Sequence, residues 1–319
     1  MSSSNPDILV LRQKAHGKPA TELSDAIRAR LPDHEVTLAR TPEQERSLIG
    51  DVDVAVGIDL PAGVREATSG LDLFACVYAG TGHLDIETLR DQDTAVTNAS
   101  GVHGPNIGEY VVGSMVLFAR RFRQAWRQQD RREWRSFQTT EVKGSTVTVV
   151  GLGSIGSAVV DRLQGFDVNT IGVRYTPSKG GPTDEVFGFD QIHQALAKSD
   201  YVVLACPLTD TTADLIDKST LRSMPPHSVL INIARGGVVD TDALVGALRS
   251  NAIGGAALDV TDPEPLPEDH PLWGFDNVQI TPHNAGHTPA YYERVADILA
   301  DNLDRIETDG FDNLRNQVV

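Results

Sequence analysis

Three glycines stand where main chain would have to approach an anion. The stretch Thr146-Val-Thr-Val-Val-Gly151-Leu-Gly153-Ser-Ile-Gly156 runs from a β-branched apolar segment through G-x-G-x-x-G into the helical pattern Ser157-Ala-Val-Val-Asp-Arg-Leu163. Gly151 permits the tight turn, Gly153 lets the backbone approach a pyrophosphate, and Gly156 lets helix and strand pack closely. The free N–H groups and the dipole at the helix N-terminus favour the anion. Such a hexapeptide is weak alone; between a strand and a helix it points to dinucleotide binding.

The residues after the next strand bear on which dinucleotide. A turn built for NAD usually presents an acid to the ribose 2′-hydroxyl. Here Val168-Asn-Thr-Ile-Gly-Val173 ends in Arg174-Tyr175-Thr176-Pro-Ser-Lys179, with no carboxylate before Asp184. Arg174 can lie on an adenine face and pair with a 2′-phosphate, Tyr175 and Thr176 can donate hydroxyls, and Lys179 adds a second charge. The plain alternative is a solvated surface arginine. The expectation is NADP(H) in preference to NAD(H), with NAD(H) accepted.

Cys76 and Cys206, the two cysteines, each end an apolar run and read as buried free thiols. The imidazoles lack ligand spacing, so no metal site is expected. His83 and His287 lie in loops and read as surface or pocket-lining residues rather than as a second proton relay.

The elements that must position these residues alternate. Short β-branched runs and helical stretches follow one another from Ile8 to Leu89 and again from Thr146 to Ile280, the mark of parallel strands with crossover helices. Between them Pro105 to about Gln129 is amphipathic, with Trp126, Trp134 and Phe137 at or beyond its end as a subunit contact or a local core. The final helical stretch, Ala290 to Ile306, follows the last strand of the second series, and its most economical partner is the first. The expected fold is α/β, two Rossmann-like or flavodoxin-like domains with parallel sheets and a cleft between them. Their boundaries are 1–100 plus 287–319 for substrate and 101–286 for the dinucleotide.

Composition narrows the partners. Of 319 residues 40% are hydrophobic and 23% charged, as in a globular protein. No apolar run nears the roughly 18 residues of a membrane span, and the first residues lack a basic, apolar leader, so a cytoplasmic location is expected. A formal charge of −16 disfavours nucleic acid and anionic membranes. Only six of the 28 basic residues are Lys, and this acidic, Arg-rich balance is read as adaptation to concentrated salt, against an ordinary acidic cytosolic enzyme.

After the glycine loop come Ala205-Cys-Pro-Leu-Thr-Asp-Thr-Thr212, Leu230-Ile-Asn-Ile-Ala-Arg-Gly-Gly-Val-Val-Asp240, Ala257-Leu-Asp-Val-Thr-Asp-Pro-Glu-Pro-Leu-Pro267 and Thr281-Pro-His-Asn-Ala-Gly286, and before it stand Tyr78-Ala-Gly-Thr-Gly-His-Leu-Asp85 and Val96-Thr-Asn-Ala-Ser-Gly-Val102. With the glycine loop they resemble the D-isomer-specific 2-hydroxyacid dehydrogenase family over nearly the whole chain. The resemblance implies reversible NAD(P)H-dependent reduction of a 2-oxo acid to the D-2-hydroxy acid.

By that resemblance His283 is the proton donor in reduction, Glu264 orients it, and Arg235 holds the substrate carboxylate with its planar fork. The backbone of Ala79 and Gly80 would meet the same carboxylate. Carried over as cofactor contacts are Ser154 and Ile155 at the pyrophosphate, and Cys206, Pro207 and Thr212 near the adenosine. Ile233, Ala234 and Asp259 fall near the nicotinamide, with Asn284, Ala285 and Gly286 bordering it. The resemblance also implies a homodimer through the cofactor domains, with 105–138 in contact. Two rivals remain: a glyoxylate or hydroxypyruvate reductase within the class, and a non-catalytic nicotinamide-sensing protein outside it. A formate dehydrogenase is disfavoured because Glu264 stands where that branch has Gln.

Overall fold

The computed structural model describes residues 5–68 and 70–319, so part of the expectation about the leader, residues 1–4, lies outside the described residues. The chain divides into two compact units. One comprises the residues up to Val102 together with His287–Val319; the other is His103–Gly286.

The first unit holds a parallel sheet of β1 (Ile8–Val10), β2 (Val36–Leu38), β3 (Val54–Gly57), β4 (Leu73–Cys76) and β5 (Ala95–Thr97), in the order β2-β1-β3-β4-β5. This is a flavodoxin-like order. Every residue of β1, β3 and β4 is buried, which is why these strands read as unbroken apolar runs instead of alternating ones. On one face Leu23 and Ile27 of the helix Ala20–Arg30 pack with Val295 and Leu299 of the helix Tyr291–Asp309. Arg30 and Asp297 close that contact at 2.5 Å. The chain end ties in as well, Val96 N–H donating to the Val319 carbonyl at 2.9 Å and the Val96 carbonyl accepting from Val318 N–H at 2.7 Å.

The second unit holds seven parallel strands: β6 (Thr146–Val150), β7 (Asn169–Val173), β8 (Glu185–Phe187), β9 (Tyr201–Leu204), β10 (Val229–Asn232), β11 (Gly255–Leu258) and β12 (Val278–Ile280). Their order is β12-β11-β10-β9-β6-β7-β8. Chain direction through the sheet reverses between β6 and β9, the switch point at which open α/β sheets take their ligands.

Two features depart from the sequence pattern. The amphipathic stretch is not one helix but two, Gly104–Ala119 and Phe122–Asp130, parted at Arg121, which adopts a left-handed φ of +51°. The apolar period continues past Ala119 although the first helix has closed, so period alone does not mark the break. Strand β8 and the helix Lys218–Ser223 have no periodic signature. The first is a three-residue edge strand. The second is set by a capping box, Asp217 and Thr220 bonding each other's backbone N–H.

Candidate active site

The glycine loop leaves β6 at the switch point. Gly151 has φ +98°, and a Cβ there would lie 2.7 Å from the Cys206 backbone, so the β6 and β9 loops touch. A Cβ on Gly156 would stand 1.9 Å from the Gly151 carbonyl oxygen. Gly153 differs: its Cβ would meet nothing within 4 Å. The helix Ser154–Leu163 starts there, and the N–H groups of Ser154, Ile155 and Gly156 belong to its first turn, where no helical carbonyl can accept them. The shape is a cradle for an anion laid against Gly153.

A cavity of about 550 Å³ runs from Gly153 to Arg174, Tyr175 and Thr176 on one side and to Cys206, Pro207 and Thr212 on the other. Its lining carries Arg174 and Lys179, and among the described residues no acid. Arg174 Nη1 donates to the Gly180 carbonyl at 2.6 Å, fixing the guanidinium over this end of the cavity. Asp184, the first acid after the strand, is turned to the opposite end of β7. Its Oδ2 accepts from the Thr170 N–H at 2.7 Å and hydroxyl at 2.8 Å, and these bonds hold its carboxyl below the ordinary range. On the β9 side the Thr212 hydroxyl donates to the Pro207 carbonyl at 2.6 Å and accepts from Thr209 N–H at 2.8 Å, so it shapes the loop as well as lining the cavity. Burial pushes the Cys206 thiol up to about 11. A dinucleotide fits this cradle: an open anion site at a helix N-terminus and a roomy flank lined by two cations.

At the same edge of the sheet, three adjacent strands deliver Arg235, Glu264 and His283. Glu264 follows β11, His283 follows β12, and His283 Nδ1 donates to Glu264 Oε1 at 2.7 Å. The carboxylate accepts only, so Nδ1 carries the proton in this bond and Nε2 is the nitrogen that Glu264 does not engage. Apolar residues, Leu266, Trp273 and Ile280 among them, line a cavity of about 520 Å³ beside the pair.

His283 is held by its backbone. Its φ is +56°, and its N–H reaches the carbonyls of Asp259 at 2.9 Å and Thr281 at 3.0 Å. The buried Asp259 organises the whole loop: Oδ1 accepts the Thr281 hydroxyl at 2.6 Å and Asn284 N–H at 2.8 Å, Oδ2 accepts Ala285 N–H at 2.9 Å. Tyr110 bonds Thr281 at 2.8 Å from the helix Gly104–Ala119. The Ala285 and Gly286 carbonyls take Asn106 Nδ2 at 2.7 Å and His103 Nδ1 at 2.8 Å.

Arg235 ends the turn after β10. The buried Asn232 folds that turn, its Oδ1 accepting Ala234 N–H and its Nδ2 donating to the Arg235 carbonyl, both at 3.0 Å. Ile233 and Ala234 are buried, while the Arg235 side chain is exposed and donates to the Ala234 carbonyl at 2.6 Å. Asn232, Tyr110 and Thr281 are the positioning residues that motif reading misses. Each works through a partner far off in sequence or through backbone, and neither leaves a local signature.

In the first unit Ala79 and Gly80 are exposed in the loop after β4, and a Cβ on Gly80 would meet nothing within 4 Å. Among the described residues no group of three or more His, Cys, Asp or Glu side chains could hold a metal ion, and no helix is long and apolar enough to cross a membrane.

Residues 112–285 match the model of the NAD binding domain of the D-isomer specific 2-hydroxyacid dehydrogenases. The chain belongs to this family. It is 38% identical over 254 residues to the glyoxylate reductase of Thermofilum pendens, covering 76% of this chain and 74% of that protein. It superposes on a family member from Xanthobacter autotrophicus in complex with NADPH and MES with a TM-score of 0.75 at 29% identity, over 98% of both chains. A family member from Aeromonas salmonicida gives 0.76 at 29%, over 98% of this chain and 99% of the other. This 2-hydroxyacid dehydrogenase is therefore an NAD(P)-dependent oxidoreductase interconverting a 2-oxo acid and a 2-hydroxy acid. The nicotinamide, when bound, supplies or takes the hydride; the protein must hold the substrate and move the proton.

Proposed function

We propose that the dehydrogenase reduces a 2-oxo acid to the D-2-hydroxy acid, with NADPH preferred to NADH. The observation that carries the reading is the His283–Glu264 bond of 2.7 Å, which leaves one imidazole nitrogen to serve the carbonyl oxygen. Glu264 fixes the tautomer and steadies the protonated ring, Arg235 binds the substrate carboxylate, and the exposed Ala79–Gly80 backbone of the first unit offers N–H donors for a carboxylate. Arg174, Tyr175, Thr176 and Lys179 support the preference for the 2′-phosphate. Ile233, Ala234, Asp259 and Asn284 to Gly286 form the nicotinamide end. The test is a panel of 2-oxo acids, glyoxylate and hydroxypyruvate included, assayed with both coenzymes. A tenfold advantage in kcat/KM for NADH would overturn the coenzyme reading, and cofactor binding without turnover of any 2-oxo acid would favour a nicotinamide sensor.

We further propose a cytoplasmic homodimer adapted to concentrated salt. The charge of −16 and the scarcity of Lys support the salt adaptation. The exposed Phe122, Trp126 and Trp134 support a subunit contact in 105–138.

A further inference from the structure

We propose that the substrate carries a second acidic group, bound by His16, His83 and His287 at the carboxyl edge of the five-stranded sheet. This deepens the reading of the chain as a 2-oxo acid reductase and rests on it.

Three imidazoles and a phenol are strung together there. The His16 ring stands edge-on to Tyr78 and to His287, each at 5.7 Å between centroids, and Tyr78 is edge-on to His83 at 6.0 Å. Tyr291 backs His16 at 4.7 Å. The rings come from chain far apart in sequence: the loop after β1, the loop after β4, and the approach to the helix Tyr291–Asp309.

Each of these segments is pinned. The Gln13 side chain joins the β1 and β3 loops, accepting from Ile58 N–H and donating to the Asp59 carbonyl, both at 2.9 Å. Tyr292 Oη accepts from Ala15 N–H at 3.0 Å and donates to the Lys18 carbonyl at 2.9 Å, while Tyr291 Oη donates to the Val77 carbonyl. His16 and Gly17, with φ of +51° and +74°, form a tight turn closed by the Lys18 N–H on the Ala15 carbonyl at 2.9 Å, and that turn presents the His16 ring.

The position and the chemistry agree. Ligands of open α/β sheets bind outside the carboxyl ends of the strands. Tyr78 directly precedes, and His83 closely follows, the Ala79–Gly80 backbone proposed for the C1 carboxylate. His83 Nε2–H is spent on the Ile58 carbonyl at 2.8 Å, so its other nitrogen is the one left to meet a ligand. An imidazole ring offers N–H donors to an anion, one in its neutral form and two as imidazolium. The rings do not converge as metal ligands, since no such group occurs among the described residues. Their partner is an anion: the distal carboxylate of a 2-oxo diacid, or a sulfonate or phosphonate in its place.

The experiment compares substrates of matched length with NADPH: oxaloacetate against 2-oxobutyrate, and 2-oxoglutarate against 2-oxopentanoate. The wild-type enzyme is expected to favour the diacid in kcat/KM by at least about tenfold, the worth of a charge-assisted hydrogen bond. His16→Asn keeps a residue that tolerates the left-handed backbone, and His287→Gln tests a second ring. Each should lower the diacid-to-monoacid ratio by at least about fivefold, mainly through KM of the diacid. A wild-type preference for the monoacids, or a ratio within about twofold of wild type in both variants, would overturn the proposal while leaving the reductase reading intact. Absence of turnover with every 2-oxo acid would overturn both.

Discussion

His283 shows how a single position carries both a chemical and a conformational demand. A left-handed backbone at a non-glycine residue costs about 1–2 kcal/mol and persists only where its surroundings dictate it. Here the Asp259 carboxylate and carbonyl and the Thr281 carbonyl do so. His283→Asn keeps a residue suited to that backbone and removes the imidazole, so kcat is expected to fall by about 10²–10⁴-fold with little change in Tm. Steady-state rates beside a melting curve check both halves, and a kcat within threefold of wild type would remove His283 from the reaction. Asp259→Asn should act differently. Its amide nitrogen must face either the Ala285 N–H or the donors at the other oxygen, leaving buried donors opposed and lowering unfolding free energy by about 1–3 kcal/mol in urea titration. The thiols bear on the chemistry too. Burial raises both Cys76 and Cys206 to about 11, so both are protonated at neutral pH, and a disulfide reagent near pH 8 should label neither until the chain unfolds.

At the scale of the element, the glycine loop separates binding from folding. Ala at 156 drives its Cβ to 1.9 Å from the Gly151 carbonyl, so the Gly156→Ala chain should lose both stability and coenzyme affinity. The Gly153→Ala chain should keep its Tm, because nothing lies within 4 Å of the added carbon, and should bind NADPH at least about tenfold more weakly. Thermal melts with and without coenzyme distinguish the two. The Thr170–Asp184 clasp between β7 and β8 gives a prediction with a sign in pH. The folded-state carboxyl titrates below its unfolded value, so its stabilisation is present above the unfolded pKa and is lost as pH falls through the folded one. The Tm difference between wild type and Asp184→Asn should be largest near neutrality and close in acid. Legibility divides at this scale. The buried strands and the G-x-G-x-x-G turn were plain in sequence because an apolar run and three glycines are local. Strand β8, the break at Arg121, and the Asn232 and Asp259 clamps were not, since each is set by edge pairing, a backbone turn or side-chain bonds to main chain, which leave no periodic or compositional mark.

For the whole molecule the open question is what covers the helix Phe122–Asp130. None of its residues is buried, although Phe122 and Trp126 face each other at 6.3 Å and Trp134 beyond it is fully exposed. A helix of this length has little stability of its own, and its exposed aromatic rings are the surface that the proposed second copy would cover. With a charge of −16, two copies repel at low ionic strength, and salt screens that repulsion while strengthening the burial of aromatic surface. Assembly and salt tolerance should then be one property. The wild-type chain is expected to sediment as a dimer in molar KCl and to dissociate, with loss of activity, as salt is removed. Trp126→Ser combined with Trp134→Ser should weaken the dimer at every salt concentration without altering the order of coenzyme preference. A wild-type chain that is monomeric in molar KCl would remove the aromatic stretch as an interface, and full activity without salt, lost on its addition, would remove the halophilic reading.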